Sequence, residues 1–248
     1  LYCEVPVEEN RPLERGNYTI PGVPGTGAKI QVDFAETAGQ GAGDLLPTDN
    51  PMDRLEVSGF GTIDASLIDI GNTHVFIRAK DVGLKGTETA EEIDSDRNLL
   101  ELLEAIRSHA AYRMGMISAP DQGKQESPAT PLIGMISPPQ DYEAPLSGRI
   151  VAASESDFLS RLMFMQQMHK TYAGTSTVCT GIASKLPGTI VHEACRKEAQ
   201  KRKEVRIGHP AGVIETESVV ELKGNNYEVK RATLGRTARR IMEGVVFA

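Results

Sequence analysis

One stretch constrains the fold more than any other: residues 175–186, TSTVCTGIASKL. Its residues are almost all small or apolar, and Lys185 carries its single charge. A helix without a polar face is buried on all sides, so the rest of the chain must wrap around it. A chain of 248 residues, 40% of them hydrophobic, can supply that wrapping as one large domain or two small ones.

The flanking sequence supplies strands. Residues 1–7 and 29–34 alternate apolar and polar side chains at a period of two. Between them IPGVPGTGAK is rich in turn formers, and the Gly-, Pro- and Asp-rich residues 36–54 predict an exposed loop. Two more strands are expected over 55–80, in LEVSGFGTIDASLID and THVFIRA. Leu99, Leu102, Leu103, Ile106, Ala110 and Met114 share one face of a helix over 91–115, with Asp94 or Ser95 as its cap. After a polar loop at 118–131, strands are expected at 132–137 and 148–153. Residues 154–170 read as a helix with Phe158, Leu159, Leu162 and Met165 inward, and 188–248 as strands and turns. The sum is an α+β fold, a twisted and mostly antiparallel sheet around one small-residue helix.

Several functions are argued against. A net charge of −7 does not suit a nucleic-acid or anionic-membrane surface. No apolar run is long enough for a transmembrane helix, and LYCEVPVEEN reads as neither a signal nor a transit peptide, so a cytoplasmic location is expected. Three cysteines make no disulfide framework. The five histidines lack metal spacing, and His192 with Cys195 has no second pair nearby, so no metal is expected. Gly22 and Gly27 have phosphate-loop spacing, but Ala28 follows, Lys29 comes one place late and Ile30 replaces the hydroxyl, which leaves a structural turn. The basic run 196–203 reads as a solvated face.

Four places could carry chemistry. Gly71-Asn72 lies between two apolar strand segments, which spacing alone reads as a hairpin turn; alternatively Asn72 offers an amide to a polar ligand. In HKTYAGTSTVCTG, residues 169–181, Gly174, Thr175, Ser176 and Thr177 open the buried helix. Free N–H groups and the positive end of the dipole can hold a carboxylate there, or Thr175 or Ser176 can simply cap the helix. Arg206 and His209, in RIGHPAG, could meet an anion or sit in a surface turn. Cys179, inside the helix, is expected to be an inert core thiol.

Together these segments resemble the PrpF family. IDIGNTHVF resembles the GNPH segment of diaminopimelate epimerases and the equivalent PrpF strand; HKTYAGTSTVCTGIASKLPGTIV, IRSHAAYRMGMI, RIGHPAGVIE and RTARRIMEG also resemble PrpF stretches. The resemblance implies a diaminopimelate-epimerase-like fold of two similar halves, each a curled sheet around a central helix, with the active site between them. It implies proton transfer at carbon without a cofactor, in small unsaturated polycarboxylic acids of the 2-methylaconitate or methylitaconate type. A 4-oxalomesaconate-type tautomerase and a non-catalytic accessory protein of the same pathway are the alternatives. On this reading residues 1–20 close the junction with a first half, 21–236 form the second half, and 237–248 give a strand that crosses back. The family's catalytic lysine and cysteine would belong to that first half, so no acid or base is assigned here, and this segment alone is expected to be incomplete. Asn72 matches a substrate-binding position and Gly174 to Thr177 the carboxylate-binding helix start, with His209 a further substrate-binding candidate; a homodimer is allowed for. One departure is clear: Ala173 stands where an epimerase holds cysteine, which argues against a two-thiol mechanism.

Overall fold

The computed structural model describes residues 1–224 and 226–245. In chain order the strands are β1 (Tyr2–Glu4), β2 (Val7–Glu8), β3 (Arg11–Pro12), β4 (Ile30–Asp33), β5 (Asp53–Val57), β6 (Gly61–Ile70), β7 (Asn72–Arg78) and β8 (Leu132–Ser137). They continue with β9 (Tyr142–Ala144), β10 (Arg149–Val151), β11 (Phe158–Phe164), β12 (Gln167–Met168), β13 (Glu204–His209), β14 (Gly212–Lys223) and β15 (Asn226–Arg236). The helices are α1 (Ala90–Asp94), α2 (Arg97–Arg113), α3 (Gly123–Glu126), α4 (Gly174–Ala183), α5 (Ile190–Ala194) and α6 (Lys197–Lys201).

One sheet dominates, in the order β1-β4-β15-β14-β13-β11-β8-β7-β6-β5, with β12 pairing β11. Its pairs are antiparallel except β7 with β8 and β11 with β13. The strand period of two places Ile68, Ile70, Phe76, Phe158 and Leu162 on the face that meets α4, against Val178, Cys179 and Ile182. Leu67, Val75, Ile77, Ile133, Met135 and Met163 take the other face, where α2 covers them with Leu99, Leu103 and Ile106. The helix expected to be buried is buried from Ser176 to Ala183. Full burial of Val178 and Ile182 is worth about 1.5–3 kcal/mol each. The expected curled α+β sheet around a central helix is the architecture found.

Several local expectations need correcting. Residues 154–170 are not a helix. Phe158–Phe164 is a strand and turns back through Met165 and Gln166, at φ 49° and 59°, into β12. A strand covered on both faces reads as a continuous apolar run and can imitate helical spacing. No glycine or Asn-Gly pair marked that turn. Residues 188–248 are not strands and turns alone, since α5 and α6 lie at 190–201. The long helix divides into α1 and α2, and Asp96, rather than Asp94 or Ser95, caps α2 by accepting from the Leu99 amide at 3.0 Å. Loop 36–54 is less exposed than expected: Asp69 holds it by accepting from the Gly41 and Ala42 amides at 2.6 Å each, and Leu45 is buried. The strand expected over 237–248 would find its partner in a first half; within this chain residues 237–245 carry no regular structure, and residues 246–248 lie outside the described residues.

Candidate functional site

The hairpin between β6 and β7 is as tight as a chain allows. Ile70 pairs with Asn72, and Gly71 alone makes the turn at φ 69°. The spot is crowded: a β-carbon on Gly71 would lie 3.3 Å from Thr175 Cβ. The Gly71 amide donates to Thr37 Oγ1 at 2.9 Å, which ties the loop after β4 to the same place. Hairpin turn and ligand-facing amide are therefore compatible readings, because the turn delivers Asn72 to the start of α4. Asn72 Nδ2 donates to Thr175 Oγ1 at 2.9 Å.

His74 locks the two elements together from beneath. Its Nδ1 lies 2.8 Å from the Asn72 carbonyl and its Nε2 lies 2.8 Å from Ser176 Oγ. A carbonyl only accepts, so Nδ1 carries the proton, and Nε2 of the neutral ring accepts from the serine hydroxyl. Complete burial pulls the His74 pKa down to about 4 despite the carbonyl bond, which acts the other way. The unfolded ring titrates near 6.5 and so binds a proton that the folded ring refuses. Stability is full above pH 6.5 and falls as pH drops toward 4, at about 1.4 kcal/mol per pH unit from this ring. Urea unfolding at pH 7.5 and pH 5 should show that loss; equal stability at the two would contradict a neutral buried His74.

The start of α4 is open. Its N-cap is Ala173, and no side chain bonds the cap, so Thr175 and Ser176 do not close it. One expectation needs correction: the Thr177 amide donates to the Ala173 carbonyl at 2.8 Å and its hydroxyl does so at 3.0 Å, so Thr177 is spent on the first helical turn. Gly174, Thr175 and Ser176 keep the free amides. Thr175 Oγ1 accepts from Asn72, which leaves its proton to donate outward.

Sequence reasoning missed the residue that completes this group. Arg236, the last residue of β15, lies against Gly174, where a β-carbon would fall 1.8 Å from Arg236 Nη2. Arg236 is half-buried, and it makes neither a side-chain hydrogen bond nor an ion pair among the described residues. Burial lowers its pKa, the direction for a cation without a counter-ion, and Tyr18 offsets this in part. A guanidinium placed at the positive end of a helix is unfavourable on its own and favourable with an anion between them. Glycine at 174 is what lets it approach. Its only sequence signal was the stretch RTARRIMEG, which has no local pattern pointing to α4.

The remaining candidates lie elsewhere. His209 makes no hydrogen bond to Asn72 or Thr175 among the described residues. It ends β13, is 1% exposed, and its ring centroid is 5.8 Å from that of Tyr172. Arg206 pairs with Asp157 at 2.9 Å. Cys179 is a fully buried thiol whose pKa burial raises well above the usual value, so it is the core residue expected.

A family model described as PrpF protein matches residues 1–248, the whole chain. The chain belongs to the PrpF family. This PrpF chain is 45% identical over 247 residues to the 3-methylitaconate isomerase of Eubacterium barkeri, covering 100% of itself and 63% of that relative. It is 36% identical over 252 residues to the 2-methyl-aconitate isomerase of Shewanella oneidensis, covering 99% of itself and 62% of the relative. Among solved structures, that of methylitaconate-delta-isomerase superposes with a TM-score of 0.92 at 45% identity, over 99% of this chain and 62% of the other. The chain thus spans about three-fifths of the length of these relatives.

Proposed function

We propose that this PrpF chain serves an isomerase that shifts a proton and a double bond in a small unsaturated polycarboxylate of the methylitaconate or 2-methylaconitate type, and that its own contribution is a carboxylate anchor. The observation that carries this reading is the Arg236 guanidinium resting on Gly174 beside the uncapped start of α4. The Gly174, Thr175 and Ser176 amides, the Thr175 hydroxyl and Arg236 are all donors, and Asn72 orients the hydroxyl. A carboxylate held there is stabilised as charge builds next to it, when a proton leaves the neighbouring carbon and the double bond moves. The proton returns at another carbon, so the reaction needs no redox partner. The groups that take and return it are not assigned. The names of the similar proteins support the substrate class.

Joined to a first half that carries the acid and base, the chain is expected to change the ultraviolet absorbance of methylitaconate or 2-methylaconitate as the double bond moves, whereas the 248 residues alone are expected not to; no change above the blank with either acid for the joined enzyme overturns the assignment. Asn72→Ala frees the Thr175 hydroxyl to rotate. It is expected to raise KM about tenfold, the worth of about one hydrogen bond to a charged group, and to leave the unfolding midpoint nearly unchanged. Unaltered kinetics would remove Asn72 from the site.

A further inference from the structure

The two edges of the curled sheet are fastened together beside the anchor. β4 is second from one edge and β6 second from the other, yet the curl around α4 brings the loop after β4 against the end of β6. The Gly39 amide donates to the Asp69 carbonyl at 2.9 Å, and the Asp69 amide donates to the Leu45 carbonyl at 3.0 Å. The Asp69 carboxylate accepts from the Gly41 and Ala42 amides. Amide, carbonyl and carboxylate of this one buried residue are all spent on the loop.

Thr37 ends the seam at the site. Its hydroxyl donates to the Phe34 carbonyl at 2.8 Å, which leaves the oxygen to accept from the Gly71 amide at 2.9 Å. The Phe34 amide donates in turn to the Ala232 carbonyl of β15 at 2.9 Å. A chain of hydrogen bonds therefore runs from the strand that carries Arg236 to the turn that carries Asn72. Both meet the start of α4, Arg236 at Gly174 and the turn at Thr175.

A seam that served the fold alone would be complete at Asp69. Gly71 is a one-residue turn pressed against Thr175, and its amide lies outside the β6–β7 ladder, where Ile70 pairs with Asn72. The acceptor for that amide comes from outside the hairpin, from Thr37. We propose, on the reading that the start of α4 anchors a carboxylate, that Thr37 is a positioning residue. Its hydroxyl fixes the Gly71 turn so that Asn72 reaches Thr175 Oγ1 and the Thr175 proton points at the carboxylate.

Steady-state kinetics of the joined enzyme with methylitaconate test this. Thr37→Val keeps the shape and removes the hydroxyl; it is expected to raise KM about tenfold with kcat little changed, the effect of about one lost hydrogen bond. Thr37→Ser keeps the hydroxyl and should restore most of the loss. Because Thr37 acts through Asn72, the double variant Thr37→Val/Asn72→Ala should be no worse than Asn72→Ala alone. A normal KM for Thr37→Val, with or without a lower unfolding midpoint, overturns the proposal, and so do effects that multiply in the double variant. Arg236→Ala tells two failures apart. If it is impaired while Thr37→Val is normal, the anchor stands and Thr37 alone is removed; if it is normal, the anchor falls and this role with it. Should Thr37→Val fail to fold, Thr37→Cys takes its place under the same outcomes, since its thiol is close in size and a weaker acceptor.

Discussion

Arg236→Ala is expected to lower kcat/KM for the proposed substrate by about 10- to 100-fold, the equivalent of losing a charge-assisted contact worth about 1.5–3 kcal/mol. Among the described residues the guanidinium has no hydrogen-bond or ion-pair partner, so its removal should cost the fold little and the melting temperature should stay close to that of the unaltered protein. Arg236→Lys keeps the charge but not the planar fork, and should recover only part of the loss. Initial rates across substrate concentration, with a melting curve for each variant, separate binding from folding. An Arg236→Ala variant with normal kinetics would leave the start of α4 without its counter-charge role. A variant that lost activity only because it unfolded would show it in the melting curve.

The largest stability effect is expected from Asp157→Ala. This carboxylate is fully buried, and it accepts from the Arg206 amide at 2.8 Å, from Arg206 Nη2 at 2.9 Å and from Arg202. The same residue stitches the backbone, its amide donating to the Arg206 carbonyl and its carbonyl accepting from the Arg196 amide. Its two arginine partners keep 39% and 28% of their side-chain surface exposed, so the loss comes from the charge-assisted bonds and from the Arg206 amide left without its acceptor, about 1.5–3 kcal/mol. Denaturant unfolding should show a loss of that order, and a loss below about 1 kcal/mol would mean that water replaces the carboxylate. The pH dependence has a definite sign. Burial alone would raise the Asp157 pKa, but the bonds from Arg206 and Arg202 outweigh it and hold the pKa below the usual carboxylate value. Its contribution is therefore full above about pH 4 and fades as pH falls through the lowered value. Asp157→Asn should lack that acid-side loss.

What the sequence determined by itself is what neighbouring residues decide together. The small-residue run 175–186 has no polar face, so it had to be buried, and the sheet curls around it. Gly71 before Asn72 had to turn the chain, because glycine accepts φ 69° at no steric cost. Cys179 in that run had to be core. Period alone could not decide residues 154–170, since a strand covered on both faces shows the same apolar run as a helix. Only packing between α4 and α2 makes 158–164 a strand. The site divides along the same line. Asn72 and the start of α4 were legible as separate short motifs, each with its own backbone chemistry. Thr177 looked equal to its neighbours until the first helical bond claimed its amide. His209 looked like a surface turn until the sheet buried it. Arg236 lies 62 residues beyond Gly174 and reaches it only because β15 runs past the start of α4 in the folded sheet. Hydrogen bonding within a turn is local and leaves its mark in the sequence; the meeting of a guanidinium with a distant helix end depends on strand order, which no local pattern encodes.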